Sequence, residues 1–114
     1  MSRKRDRYEQ SLGDLVDSID DLREVLLRYK RATTRLIASV ARGEPAIAGL
    51  ESVGASTLRP ELSEALDGLD AARHKARVDL FAVAMEDGDT IANVGRSLSF
   101  SRQLASRIAA ENRR

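Results

Sequence analysis

From Tyr8 onward, apolar residues recur at alternating intervals of three and four: Tyr8, Leu12, Leu15, Ile19, Leu22, Leu26, Tyr29, Thr33, Leu36 and Val40. Thr33 is the one polar member of these ten positions, and a rhythm kept this long is the signature of a coiled-coil seam. The spacing predicts one helix over residues 7–42, about 50 Å long at ~1.5 Å per residue. Val16, Val25 and Ile37 lie beside the seam and widen it, so the helix can meet more than one neighbour.

The rhythm then stops. Gly43, Pro45, Gly49, Gly54 and the small run Ala55-Ser56-Thr57 predict a linker over residues 43–59. It contains a short helix over Pro45–Val53, because proline suits a first helical turn and Gly54 a C-terminal stop. A second long helix is expected over residues 60–87. Leu62, Leu66, Leu69, Ala76, Leu80 and Val83 restore the three-four spacing with Arg73 as a polar member, and Gly88 ends it. Two long amphipathic helices with a flexible connection fold back most simply as a hairpin. Past Gly88, Asp89 or Thr90 can cap a helix over Ile91–Leu98, and Ser101 can cap another from Arg102 to Asn112. The expected fold class is all-α: a long, antiparallel, coiled-coil-like hairpin followed by two short helices.

Composition supports that picture and removes several chemistries. The chain has 114 residues, enough for one ordinary domain, with 42% hydrophobic residues but no Trp, two Phe and two Tyr. So few aromatics favour long, thin interfaces of Leu, Val, Ile and Ala. Cys is absent and His74 is the only histidine, which excludes a disulfide framework, a thiolate nucleophile, a cysteine or multi-histidine metal cage and a common hydrolase triad within one chain. Neither a cofactor nor a metal site nor an enzymatic activity is expected. The run Asp14, Asp17, Asp20, Asp21 and Glu24 reads as a solvated helix face. Glu86-Asp87-Gly88-Asp89 lacks the alternating ligands and closing Glu of a calcium loop, and reads as a helix stop followed by a cap. His74, between Arg73 and Lys75, reads as a surface residue. No apolar run approaches the ~20 residues of a membrane span, and the start Ser2-Arg3-Lys4-Arg5-Asp6-Arg7 is followed by polar residues rather than the apolar stretch of a secretory signal. A cytoplasmic protein that does not associate with membranes is expected.

The net charge of +1 hides opposed blocks. Residues 1–5 carry +3, 6–27 carry −5, 28–42 carry +5, 43–70 carry −5, 71–87 carry zero and 88–114 carry +3. Blocks of this kind report how parts of a protein meet each other or a partner. In the hairpin, the acidic start of the second helix is expected near the basic end of the first. Residues 1–6 are expected to form a flexible basic arm, which either touches phosphate or minor groove or is simply a solvated terminus.

The run Thr90-Ile-Ala-Asn-Val-Gly-Arg-Ser-Leu-Ser-Phe-Ser-Arg-Gln-Leu-Ala-Ser-Arg-Ile-Ala resembles the helix-turn-helix of bacterial DNA-binding regulators. The resemblance covers residues 74–114, with the end of the second long helix, Val78, Phe81, Ala82 and Met85, as the first helix of the unit. It implies that Gly95 stands where the helices cross, in a place where the family usually has Ala, and that Ser99 stands at a turn position that is commonly Gly. Ile91, Val94, Leu98, Phe100, Ala105 and Ile108 stand where that motif wants apolar ties. By the same mapping Ser101, Arg102, Gln103, Ser106 and Arg107 face base edges of duplex DNA, while Arg96, Arg113 and Arg114 supply phosphate contacts.

A nucleoid-associated homodimeric transcription regulator is thus expected, with Leu12, Leu15, Ile19, Leu22, Leu26, Tyr29, Leu36 and Val40 as the seam of the hairpin, of the dimer, or of both. The alternative is a helical module that docks on a protein partner such as the transcription apparatus. It is motivated by the length of the stripe and by a net charge low for a dedicated DNA binder. Parallel and antiparallel dimers both remain open, because Val25 and Ile37 blur the charged flanks that usually decide orientation.

Overall fold

The structure, a computed structural model, describes residues 2–112. Five helices follow one another: α1 Arg3–Ala41, α2 Ala46–Ser52, α3 Ala55–Glu86, α4 Ile91–Ser97 and α5 Arg102–Glu111. The described residues contain no strand. They form two compact units. The terminal unit joins Met1–Val16 to Ala71–Arg114, and the middle unit is Asp17–Asp70. The sequence assigned the short C-terminal helices to residues 74–114 alone, whereas the unit that holds them also takes in the first turns of α1.

Two boundaries differ from expectation. Residues 3–6, expected to be a flexible arm, are helical. Ser2 explains this: its hydroxyl accepts the amide of Arg5 at 3.2 Å and its carbonyl accepts the amide of Asp6 at 3.1 Å, which satisfies donors that a helix start leaves without partners. The Arg5 guanidinium then reaches Asp87 at 2.7 Å. Helix α3 likewise starts five residues before Pro60, at Ala55. The carbonyl of Gly54 accepts the amides of Thr57 and Leu58, both at 3.1 Å, so the helix is nucleated before the proline is reached. Pro60 removes one ladder bond, to Ser56, and both residues are exposed, so water can serve that carbonyl.

Helix ends follow a common scheme. At the end of α1 the amides of Gly43 and Glu44 return to the carbonyls of Val40 and Ser39 at 3.0 and 3.2 Å. At the end of α3 Gly88 and Asp89 return to Met85 and Ala84 at 3.1 and 2.9 Å. This closure needs a left-handed residue, and Gly43 and Gly88 have φ of 76° and 95°. Within α1, Thr33 and Thr34 donate their hydroxyls to the carbonyls of Tyr29 and Lys30 at 2.9 Å, which keeps both inside the ladder.

Each unit has its own packing. In the terminal unit, the start of α1 runs antiparallel to the end of α3. Arg5 meets Asp87, and Ser11, fully buried, donates to the Asp79 carboxylate. Phe81 has no exposed surface and packs among Ala84, Val94, Ala105, Ile108 and Ala109. Val78, Leu80, Ile91, Leu98, Phe100 and Leu104 close around them. In the middle unit, Arg28 lies 2.7 Å from Glu61, so the later part of α1 and the early part of α3 are also antiparallel. That contact is an ion pair by distance without the alignment of a hydrogen bond.

The seam splits along α1. Leu15 of the terminal unit and Leu22 and Leu36 of the middle unit are half-buried, whereas Leu12, Ile19, Leu26, Tyr29 and Val40 are exposed. The residue just before each of four exposed members turns inward instead. Ser11 is buried in the terminal unit, and Val25 and Ser39 are buried and Ser18 half-buried in the middle unit. Ala32, before Thr33, continues that inner line and is buried. Small side chains there let a facing backbone approach closely. Gly49 of α2 shows how close: a methyl group on it would lie 2.9 Å from the Ser39 hydroxyl.

Candidate nucleic-acid interface

The site is built on the short helices of the terminal unit. Thr90 caps α4, its hydroxyl accepting the Asn93 amide at 3.1 Å, and Ser101 caps α5 by accepting the Leu104 amide at 3.1 Å. Of the two caps that the sequence allowed for α4, Thr90 makes the bond. Between the helices, the Phe100 amide returns to Gly95 at 2.8 Å and the Ser99 amide to Arg96 at 3.1 Å. This is the same closure as at Gly43 and Gly88, but the left-handed residue is Ser99, with φ 59°. A serine there costs about 1 kcal/mol relative to glycine, and Phe100, which follows it, is partly buried against the Phe81 cluster. The Arg77 guanidinium covers the Phe100 ring at 4.9 Å from its centroid.

Gly95 and Ala105 set the distance between α4 and α5. A methyl group on Gly95 would come within 2.9 Å of the Ala105 methyl, so the helices touch nearly backbone to backbone. Ala105, Ile108 and Ala109 are buried on the inner side of α5. Arg102, Gln103, Ser106 and Arg107 are exposed, as is Ser101 at the first turn. Spacings of three and four put Arg102 with Ser106, and Gln103 with Arg107, on one outward surface. Two guanidinium forks, one carboxamide and two hydroxyls therefore share a face, a donor-rich set able to address base edges or phosphates. The Ser101 oxygen is already an acceptor in its cap, which leaves its proton for an outside acceptor.

The other expected contacts fare differently. Arg96 is exposed on α4 and donates to the Asn93 carboxamide oxygen, so it is braced rather than loose. Arg113 and Arg114 lie outside the described residues. The end of α5 is tied to α3 by His74, whose Nε2 lies 2.9 Å from the Glu111 carboxylate, and by Asn112, which donates to the Val78 carbonyl at 2.9 Å. Nothing in the sequence signalled the His74–Glu111 pair, because no periodicity links residues 37 apart.

Folding also adds cations that the sequence had set apart. Lys4 and Arg7 of α1 and Lys75 of α3 line one depression with Ala109, Glu111 and Asn112 at the end of α5. Residues 1–16 and 71–114 together carry a net charge of +4, against −3 for residues 17–70. Division by compact unit thus gathers positive charge in the unit that bears α5. Among the described residues no cluster of His, Cys, Asp and Glu could hold a metal ion, and no helix is long and apolar enough to cross a membrane. Comparison with protein-family models, curated proteins and solved structures finds no match for this chain.

Proposed function

We propose that this protein binds duplex DNA as a transcriptional regulator of the bacterial helix-turn-helix kind, with α5 as the helix that enters the major groove. The observation that carries this reading is the α4–α5 pair: close contact at Gly95 and Ala105, a left-handed Ser99 between them, and Arg102, Gln103, Ser106 and Arg107 facing outward from a buried inner side. Such a pair holds an exposed helix at a fixed angle on a rigid support, which reading base edges requires. Arg102 and Arg107 suit guanine, Gln103 suits adenine, and Ser101 and Ser106 suit either base or phosphate. Arg96, Lys4 and Arg7 supply phosphate contacts that orient the protein without reading sequence.

Fluorescence polarization with random-sequence and selected duplexes across a salt series tests the proposal. Affinity for wild type falls steeply with salt, because each neutralised phosphate releases counterions. Arg102→Ala combined with Arg107→Ala lowers affinity for a selected site by at least about tenfold, since each bidentate pair contributes ~1–3 kcal/mol. Lys4→Ala with Arg7→Ala weakens binding to all duplexes alike and flattens the salt slope. Unchanged affinity in the Arg102/Arg107 double variant rejects α5 as the reading helix.

A further inference from the structure

Depressions on the middle unit differ in how they handle charge. One, along α1, sets Asp20 and Glu24 beside Arg23 and Lys30. Another, between α1 and α3, sets Asp21, Glu61 and Glu64 beside Arg28. In both, acid and base share the surface. A third, between α1 and the start of α3, carries four cations, Arg28, Lys30, Arg31 and Arg35, against one carboxylate, Glu61. That carboxylate is taken by Arg28 at 2.7 Å. No carboxylate of the described residues forms an ion pair with Lys30, Arg31 or Arg35. The expected meeting of basic α1 with acidic α3 therefore leaves three cations over in a single groove.

Helical spacing explains why they gather. Arg28, Arg31 and Arg35 stand three and four residues apart, so they follow one another along one face of α1 within about 10 Å. The antiparallel register that sets Arg28 at Glu61 carries Arg31 toward Leu58 and Arg35 toward Gly54, and all of these line the groove. Like charges one turn apart on a helix repel, so the arrangement costs stability until an anion neutralises it. The apolar lining comes from Leu27 of α1, Leu58 of α3 and the buried Val53 of the turn between α2 and α3. Arginine stems cover part of such a lining, yet the groove keeps a volume of about 760 Å³, within the ~300–1,000 Å³ of small-molecule sites. Thr57 adds a hydroxyl donor.

We propose that this groove binds a small amphipathic anion, a carboxylate or phosphate head on an apolar body. The head lies between Arg31 and Arg35, whose planar forks suit either oxyanion, and the body rests on Leu27, Val53 and Leu58. A bare inorganic anion would use the cations and leave the apolar lining in water. A neutral apolar molecule would cover the lining and leave the guanidiniums repelling one another. One molecule with both parts answers both. The site lies wholly within the middle unit and does not depend on the DNA reading. A chain that binds the anion but ignores DNA would overturn the DNA reading alone, and the reverse would overturn the site alone.

Isothermal titration calorimetry of the full chain with decanoate and with decyl phosphate, each below its micelle concentration, tests the site. Inorganic phosphate and decyl maltoside supply the head alone and the body with a neutral head. Saturable one-to-one binding of at least one alkyl anion is expected, and the preferred one identifies the head. Inorganic phosphate and decyl maltoside are expected to bind at least about tenfold more weakly. Arg31→Ala with Arg35→Ala lowers affinity for the alkyl anion at least about tenfold. Helical circular dichroism stays unchanged, because both side chains are exposed. Leu27→Asp, also at an exposed position, weakens binding by setting a like charge beside the head. Failure of both alkyl anions to bind at millimolar concentration overturns the proposal. So does undiminished affinity in the Arg31/Arg35 variant, or either control binding as tightly as the alkyl anions. A loss of duplex-DNA affinity in that variant as large as its loss of anion affinity also overturns it, since the cations would then serve the DNA backbone.

Discussion

The terminal and middle units are cut from the same two long helices, yet they stabilise themselves by different means. The terminal unit places one aromatic ring, Phe81, at the centre of three converging helices and buries it completely. Its caps, turns and tie points, Thr90, Ser101, Ser99 and the His74–Glu111 pair, all serve to fix α4 and α5. The middle unit has no aromatic core residue. It buries Val25, Ala32 and Val53 beside Ser39 and Gly49, and leaves Leu26, Leu27 and Ile37 in water. A local core holds α4 and α5 rigidly in the terminal unit, whereas the middle unit hides small residues and leaves large apolar ones in water.

The sharpest way to break this comparison is Phe81→Ala. Truncating a fully buried ring costs about 3–5 kcal/mol, so amide protection in α4 and α5 is expected to collapse while middle-unit amides, read by hydrogen exchange, keep theirs. Parallel loss in both units would mean one cooperative body. A smaller effect is expected at the helix crossing. Gly95→Ala gains ~1 kcal/mol of helix propensity but drives α5 away from its place against Ala105, for a net loss of about 1–2 kcal/mol. Adding Ala105→Gly should recover part of it, and strictly additive losses would show that the contact does not set the spacing.

The smallest effect belongs to the middle unit. Hydrogen bonds from Arg42, at 2.6 Å, and from Ser39, at 2.8 Å, hold the Glu44 carboxyl below its ordinary value. The folded chain therefore binds this proton less readily than the unfolded one. The stabilisation is present above the unfolded value of 4.5 and disappears as pH falls through the lower folded value. Wild type is expected to exceed Glu44→Gln slightly in denaturant midpoint at neutral pH and to converge with it in acid. A gap that widens in acid would assign Glu44 the opposite role.

Much of the chain was legible from local rules. The all-helical class, the ends of α3 at Gly88 and of α1 near Gly43, and the caps Thr90 and Ser101 follow from residues acting within a few positions of themselves. The arm was misread because Ser2 supplies a cap that a count of basic residues does not reveal. Pro60 was misread as a start because proline is common there, whereas Gly54 had already begun the helix upstream. On α5 the helix-turn-helix resemblance implied Ala105 and Ile108 as inner ties and Arg102, Gln103, Ser106 and Arg107 as outward residues; the first two are buried and the other four exposed, while the burial of Ala109 was not signalled.

What the sequence determined by itself was periodicity: where helices run, where they stop, and that α1 has one rich apolar side. Which part of that side is used was decided only in three dimensions. A stripe repeating at three and four fits an inner line through Ser11, Val25, Ala32 and Ser39 nearly as well as one through Leu12, Leu26 and Val40, because the two lines share Tyr8, Leu15, Leu22, Tyr29 and Leu36 and differ by one residue in each heptad. Hydrophobicity favours the larger set. Close backbone approach selects the smaller one, and that selection leaves the larger residues facing outward.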